Sequence, residues 1–434
     1  MSAGLRIAWA GPWNARSSIA SFGALVVAEI AARGHEVEVF RTETGEFLAL
    51  PPRPAPGPVS PLAGASHDAL ARDYDAFIVN LGDHYGHHGA AVTPLLRLPA
   101  LAIIHDAFLA NLYAGWAEAE GRPSLHGAVL GAVYGAAEAE AANPFMLPLE
   151  EMAVRRPMVE WFAAFAAGAV VHADHYAGRV RSACPGPVDV IPLTHESVSL
   201  PPPPPLDGAR KAVVATIGHV NPNKRGAEVL HAMAASPVLR ERARYLMVGP
   251  VEPAERAALL GLARSLGAPA PEFTGWVDDA EMRRRLASAD AICCLRSPVL
   301  EGASGSLILA MLSGRPVLVS DHGSYAEVPD GLVLKCRPGA EAADVRRHLE
   351  ALLADPAPAR TMAARARAYA EATFTAEGYA ERLLAHVDRV TETLPVVRAA
   401  MGLGRTLAGF GMPLDDPAGE RIAGALDDLL DRKG

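Results

Sequence analysis

At 434 residues the chain is long enough for two domains with separate cores, and with 50% hydrophobic and 21% charged residues it is no disordered polyelectrolyte. The net charge of −9 is unevenly placed: residues 1–206 hold 12 Arg, no Lys and 20 Asp plus Glu, an acidic half unsuited to nucleic acid or anionic lipid. Cys184, Cys293, Cys294 and Cys336 lack metal-ligand spacing, the start lacks a signal-peptide pattern, and no uncharged apolar run approaches roughly 18 residues. A reducing, cytoplasmic setting without a membrane-spanning segment is therefore expected.

L-R-I-A-W-A-G (5–11) reads as a buried parallel strand ending at Gly11. Ser17, Ser18 and Ser21 are N-cap candidates for an apolar helix reaching Arg33, with Gly34 as its stop, and H-E-V-E-V-F (35–40) is the next strand. This β-α-β opening suits a doubly wound sheet. Residues 51–66, rich in Pro, Gly and Ala, read as a surface loop. Residues 73–88 and 98–109 are each a strand followed by a polar loop, where α/β proteins place ligands. The second of these loops carries His105 and Asp106. His84, His87 and His88 read as a polar rim and not a metal site, because no further ligands with a recognisable spacing accompany them. Asp73 and Asp75 precede their strand and read as its charged entry.

Residues 111–168 are Ala- and Glu-rich and predict two or three helices broken at Pro144, Pro148 and Pro157, projecting beside a cleft. W-F-A-A-F-A-A-G (161–168) reads as core, and 169–175 and 188–193 as the last strands of the first half, His172 following the earlier one. The five prolines Pro201 to Pro205 form a stiff spacer. The pattern then restarts. K-A-V-V-A-T-I-G (211–218) is a strand, a helix opens near Gly226, 244–249 and 272–277 are strands, and Asp278 or Asp279 caps the helix that follows. A-I-C-C-L (291–295) leads into the small-residue loop Gly302 to Ser306, a helix ending near Ser313 and Gly314, and the strand V-L-V-S after Pro316. A glycine and serine loop feeding a helix start presents unpaired backbone N–H groups in positive potential, which suits a phosphate or diphosphate. Glu301 is placed to hold hydroxyls of whatever that phosphate carries. Beyond residue 340 the chain is amphipathic helix.

The stretch 296–327 resembles the donor-site motif of the retaining GT-B glycosyltransferases of family four. Glu301 matches the first of two glutamates and A-M-L-S-G-R-P-V the tail; the second glutamate's position holds Leu309. Further motifs in the same order extend the resemblance over 211–330: Lys224 at a diphosphate-binding lysine, His219 where the family has an arginine, and Val277 where a backbone meets the nucleobase. In the first half, S-S-I-A (17–20) stands where the family often has Ser-Gly-Ile-Ala, and His105 with Asp106 matches a His-Asp pair facing the donor sugar.

The resemblance implies an α/β, GT-B fold of two Rossmann-like domains facing a central cleft. An acceptor domain would span 1–200, a proline-rich linker 201–208, a nucleotide-sugar domain 209–375 and terminal helices 376–434, the first of which cross back. It implies a retaining, metal-independent hexosyltransferase-type enzyme using a UDP- or GDP-linked sugar and no resident cofactor. The acceptor would be a glycan, a lipid-linked or a small-molecule hydroxyl, as in polysaccharide biosynthesis, with the protein in the cytoplasm or peripheral at a membrane. Glu301, Lys224, His105 and Asp106 would do the chemistry; Gly11, His219, Val277, Ser304, Gly305, Ser306, Leu307 and Leu309 would hold the nucleotide. Leucine at 309 cannot accept the ribose hydrogen bonds, which predicts weaker nucleotide affinity and leaves an alternative, a catalytically degenerate scaffold acting as a sugar-nucleotide-binding or partner subunit.

Overall fold

A computed structural model describes residues 4–139, 145, 147–206, 208, 210–409, 421 and 424. Two parallel sheets organise them. The first contains β1 Arg6–Gly11, β2 Glu36–Arg41, β3 Val59–Pro61, β4 Ala76–Leu81, β5 Ala100–Ile104, β6 Ala166–Val171 and β7 Val188–Val190, in the order β3-β2-β1-β4-β5-β6-β7. The second contains β8 Ala212–Ile217, β9 Ala243–Val248, β10 Glu272–Phe273, β11 Ala291–Cys294, β12 Val317–Ser320 and β13 Leu334–Cys336, in the order β10-β9-β8-β11-β12-β13. β5, β6, β8, β11 and β12 are buried at every residue, as strands covered by helices on both faces must be. In each sheet the strand order reverses beside a central strand, between β1 and β4 and between β8 and β11. Ligands of open α/β sheets bind outside the carboxyl ends of the strands at such a point.

Ser17 is the N-cap of the helix Ser18–Ala32, its side chain accepting from the Ala20 amide, and Gly34 takes φ +87° just past the helix end. The surface loop 51–66 contains β3, an edge strand that its prolines concealed. Residues 110–163 form more helices than two or three: Ala110–Ala119, His126–Tyr134, Ala136–Ala139, Leu149–Arg155 and Val159–Ala163. Gly121 and Gly135 turn the chain at φ +66° and +94°, interruptions that the proline count missed; Pro144 lies outside the described residues. The apolar run 161–168 splits into a helix end and the start of β6. The strand expected over 272–277 stops at Phe273, and Gly275 turns at φ +71°.

Pro201 to Pro205 have no regular structure, but Arg315 donates to the Pro201 carbonyl and Arg360 to that of Pro204. The last described helix, Ala376–Gly409, returns to the first sheet: Tyr379, Leu383, Val387 and Val390 share an apolar cluster with Ile7, Trp9, Phe22 and Val26. Apart from Arg421 and Gly424 the tail beyond it lies outside the described residues.

The sheets meet through backbone. Asp106 and Glu301 form an antiparallel bridge, with Gly302 N donating to His105 O at 2.8 Å and Phe108 N to Leu300 O at 3.1 Å. Glu327 accepts from the Asp174 and His175 amides, at 2.9 and 2.6 Å, at the start of the helix Asp174–Ala183. A Cβ on Gly302 would stand 2.3 Å from the Tyr176 hydroxyl and 2.8 Å from the His105 carbonyl oxygen, so this contact needs glycine.

Candidate active site

Between the carboxyl ends of the two sheets lies a cleft. From the first sheet His105 follows β5 and His172 follows β6; from the second Gly218 follows β8, and Arg296, Glu301, Ser304, Gly305, Ser306 and Leu309 follow β11. Asp106 completes the polar wall. Ser304 is the N-cap of the helix Gly305–Leu312, its hydroxyl accepting from Leu307 N at 3.2 Å, and this helix start opens onto the cleft. The helix start expected from the glycine and serine loop is thus at the cleft, and its dipole directs positive potential there.

Glu301 is held by two side chains that sequence reasoning passed over. Arg296 Nε donates to its Oε1 at 2.8 Å and the Tyr325 hydroxyl to the same oxygen at 2.5 Å, with the guanidinium also lying over the Tyr325 ring. Burial pushes the Glu301 carboxyl up, but the Arg296 charge and the Tyr325 hydrogen bond prevail and hold it below the usual range. A signal was available: Arg296 directly follows a buried apolar strand, at the end where parallel sheets bind ligands.

Lys224 sits behind the wall of the cleft. Its ammonium donates to Ile217 O at 2.6 Å, and a Cβ on Gly218 would be 2.8 Å from Nζ and 3.2 Å from Ser306 Oγ. The lysine nitrogen and the helix-start serine therefore flank the same glycine, which takes φ +87°. Burial, aided by the Arg296 charge, lowers the Lys224 pKa to about 7. Asp106 goes the other way: burial, with the Glu301 charge adding to it, raises its carboxyl to about 7, against the Asp83 amide that donates to it at 2.8 Å.

The other expected residues are placed differently. His219 is exposed and off the wall of the cleft. Leu307 is core, and Val277 packs against the same apolar cluster as Leu309. Gly11 lies beneath the site, where a Cβ would meet Asn80 at 3.2 to 3.4 Å. His88 is buried with Nδ1 at 3.0 Å from the Asn80 carbonyl, and against Phe47 His84 packs edge-on and His87 at a tilt. Among the described residues no three of His, Cys, Asp or Glu are grouped to hold a metal ion. Asp75 accepts from the Arg6 amide and Asp73 pairs with Arg72, at the entry of β4.

His105 belongs to a chain of hydrogen bonds. Its Nε2 is 3.0 Å from Asn80 Oδ1 and its Nδ1 3.1 Å from His172 Nε2; His172 Nδ1 is 3.0 Å from the Ile191 carbonyl oxygen. Asn80 Nδ2 donates to Ala10 O at 3.0 Å, which fixes the amide and leaves its oxygen facing His105. Both ends of the chain can only accept, so three bonds require three protons, and two neutral imidazoles carry two. Burial opposes the third, lowering His172 to about 4 and His105 well below the usual histidine range. With both rings neutral, one contact has no proton in it.

In backbone, a sucrose-phosphate synthase from Thermosynechococcus elongatus superposes on 90% of this chain and 100% of its own, with TM-score 0.61 and 17% identity. The fold is GT-B. Other GT-B structures agree: HepE of Anabaena, solved with UDP and glucose, matches at TM-score 0.58 and 15% identity over 88% of this chain and 99% of its own. WaaG, a glycosyltransferase involved in lipopolysaccharide biosynthesis, matches at 0.54 and 15% over 87% and 98%. Residues 211–355, which contain all of the second sheet's strands, match the family model described as glycosyl transferases group 1. No curated protein matches the chain in sequence.

Proposed function

We propose that the protein transfers a sugar from a nucleoside-diphosphate sugar to an acceptor hydroxyl, with retention of configuration and without a metal ion. What supports this most is one juxtaposition: an anion-binding helix start, the clamped carboxylate Glu301 and the His105–Asp106 pair meet in a single cleft. The diphosphate lies on the amides at Ser304 to Leu307, with Lys224 turning from the Ile217 carbonyl towards it. Both place positive charge where the leaving group becomes more negative. Glu301 and Asp106 hold the sugar's hydroxyls, with His105 beside them. The first sheet's side of the cleft receives the acceptor, a glycan, lipid-linked or small-molecule hydroxyl, and residues 209–375 carry the donor.

A second reading has its own observation. Leu309 lines the cleft, and His219 is off it, so two expected nucleotide contacts are missing. A scaffold that binds a sugar nucleotide without turning it over fits those two residues. Incubating the purified protein with UDP-, GDP- and dTDP-linked sugars and following free nucleoside diphosphate by mass spectrometry separates the two. Slow donor cleavage supports the enzyme; donor binding without any cleavage supports the scaffold; no binding of any donor overturns both.

A further inference from the structure

We infer that the cleft takes a 2′-deoxynucleoside diphosphate at least as readily as its ribonucleoside counterpart, with Leu309 setting the choice. The inference rests on the reading that a nucleoside-diphosphate sugar binds here. Gly305, Ser306 and Leu309 all line the cleft from one helix, and Leu309 follows the other two by four and three residues, so it lies one turn deeper on their face. A diphosphate on the first-turn amides therefore has a polar direction and a more apolar one. The polar direction holds His105, Asp106, Arg296 and Glu301. The other direction holds Leu309 with Leu193, Val198 and Met282, members of one hydrophobic cluster, and Thr194, His195 and Arg283 line the cleft beside them.

A sugar with several hydroxyls belongs on the polar side, which leaves the nucleoside's pentose over Leu309. A 2′-hydroxyl pressed on leucine gives up water and gains no hydrogen bond from that side chain, whereas a 2′-methylene buries apolar surface there. Two carboxylates line the cleft near this end, and neither is aimed into it as a buried acceptor. Asp279 is exposed, and Glu196 is exposed with its carboxylate 3.9 Å from Arg283. An apolar pocket rejects an added hydroxyl only modestly, by up to about a hundredfold, so a preference is expected and not an absolute barrier.

The test is calorimetric titration of the natural protein and of Leu309→Glu with four ligands: UDP, 2′-deoxy-UDP, GDP and 2′-deoxy-GDP. The natural protein should bind the deoxy member of the preferred pair as tightly as the ribo member or more tightly. Leu309→Glu should shift that ratio roughly tenfold towards ribose, the worth of a restored charge-assisted hydrogen bond. Leu309→Gln, a neutral acceptor, should shift it the same way by less, and guards against the glutamate variant failing to fold. Ribonucleotide binding tenfold tighter than deoxyribonucleotide in the natural protein would overturn the inference and leave the proposed function standing. So would a ratio unmoved in both variants. Binding of no nucleoside diphosphate at all would instead remove the proposed function, and this inference with it.

Discussion

Replacing Arg296 by methionine tests how the cleft is held together. The Arg296 and Glu301 side chains are 7% and 19% exposed, and a single 2.8 Å contact joins them. Removing one partner of a buried ion pair costs about 3–5 kcal/mol, because the remaining charge is stranded. Glu301 keeps its Tyr325 hydrogen bond, so the lower end, about 3 kcal/mol, is expected. In thermal unfolding that corresponds to a drop of roughly 6–12 °C for a unit of 150–250 residues. The Glu301 carboxyl should rise, having lost its attractive neighbour, and Lys224 should rise too, having lost a repulsive one. Adding Glu301→Gln to Arg296→Met removes the stranded charge and should recover much of the loss, which a double-mutant cycle would measure. If the single variant unfolded within about 0.5 kcal/mol of the natural protein, or the double variant were as unstable as the sum of the singles, the pair would not be the clamp described.

Two further outcomes follow from the same geometry. Lys224 falls to about 7 in the free protein, and a bound diphosphate favours its ammonium, so binding takes up a proton. Affinity should be full well below pH 7 and weaken as pH rises through it, by roughly twentyfold between pH 7.5 and 9, with a heat that depends on the buffer's ionisation enthalpy. A pH-independent Kd over that span would contradict the assignment. Gly302→Val would push its side chain into the Tyr176 hydroxyl and the His105 carbonyl, forcing the two walls apart. Displacement of about 1 Å can cost about a hundredfold in rate, so donor cleavage should fall at least that far. The strands and helices of each sheet do not include Gly302, and far-ultraviolet circular dichroism should change little.

Much of the fold was legible because buried parallel strands read as apolar runs, as 5–11, 211–218 and 291–295 do. β3 was not, because its prolines satisfy the rules for a loop and an edge strand alike. The site was legible where one segment carries it. Ser304 to Ser306 and Glu301 are close in sequence, and so is His105 to Asp106. It was not legible where the partner is distant: Tyr325 meets Glu301 from 24 residues on, and His172 meets His105 from 67 away. His219 shows the opposite limit, since a position in a motif does not say which way the side chain faces, and this one is exposed.

The most direct measurement is calorimetric binding of UDP and GDP to the natural protein and to Lys224→Ala. Micromolar binding of one nucleotide, weakened about tenfold or more in the variant through loss of a charge-assisted contact, is the predicted result. Equal affinity in the two proteins would remove Lys224 from the diphosphate, and absence of binding in both would contradict the cleft as a nucleotide-sugar site.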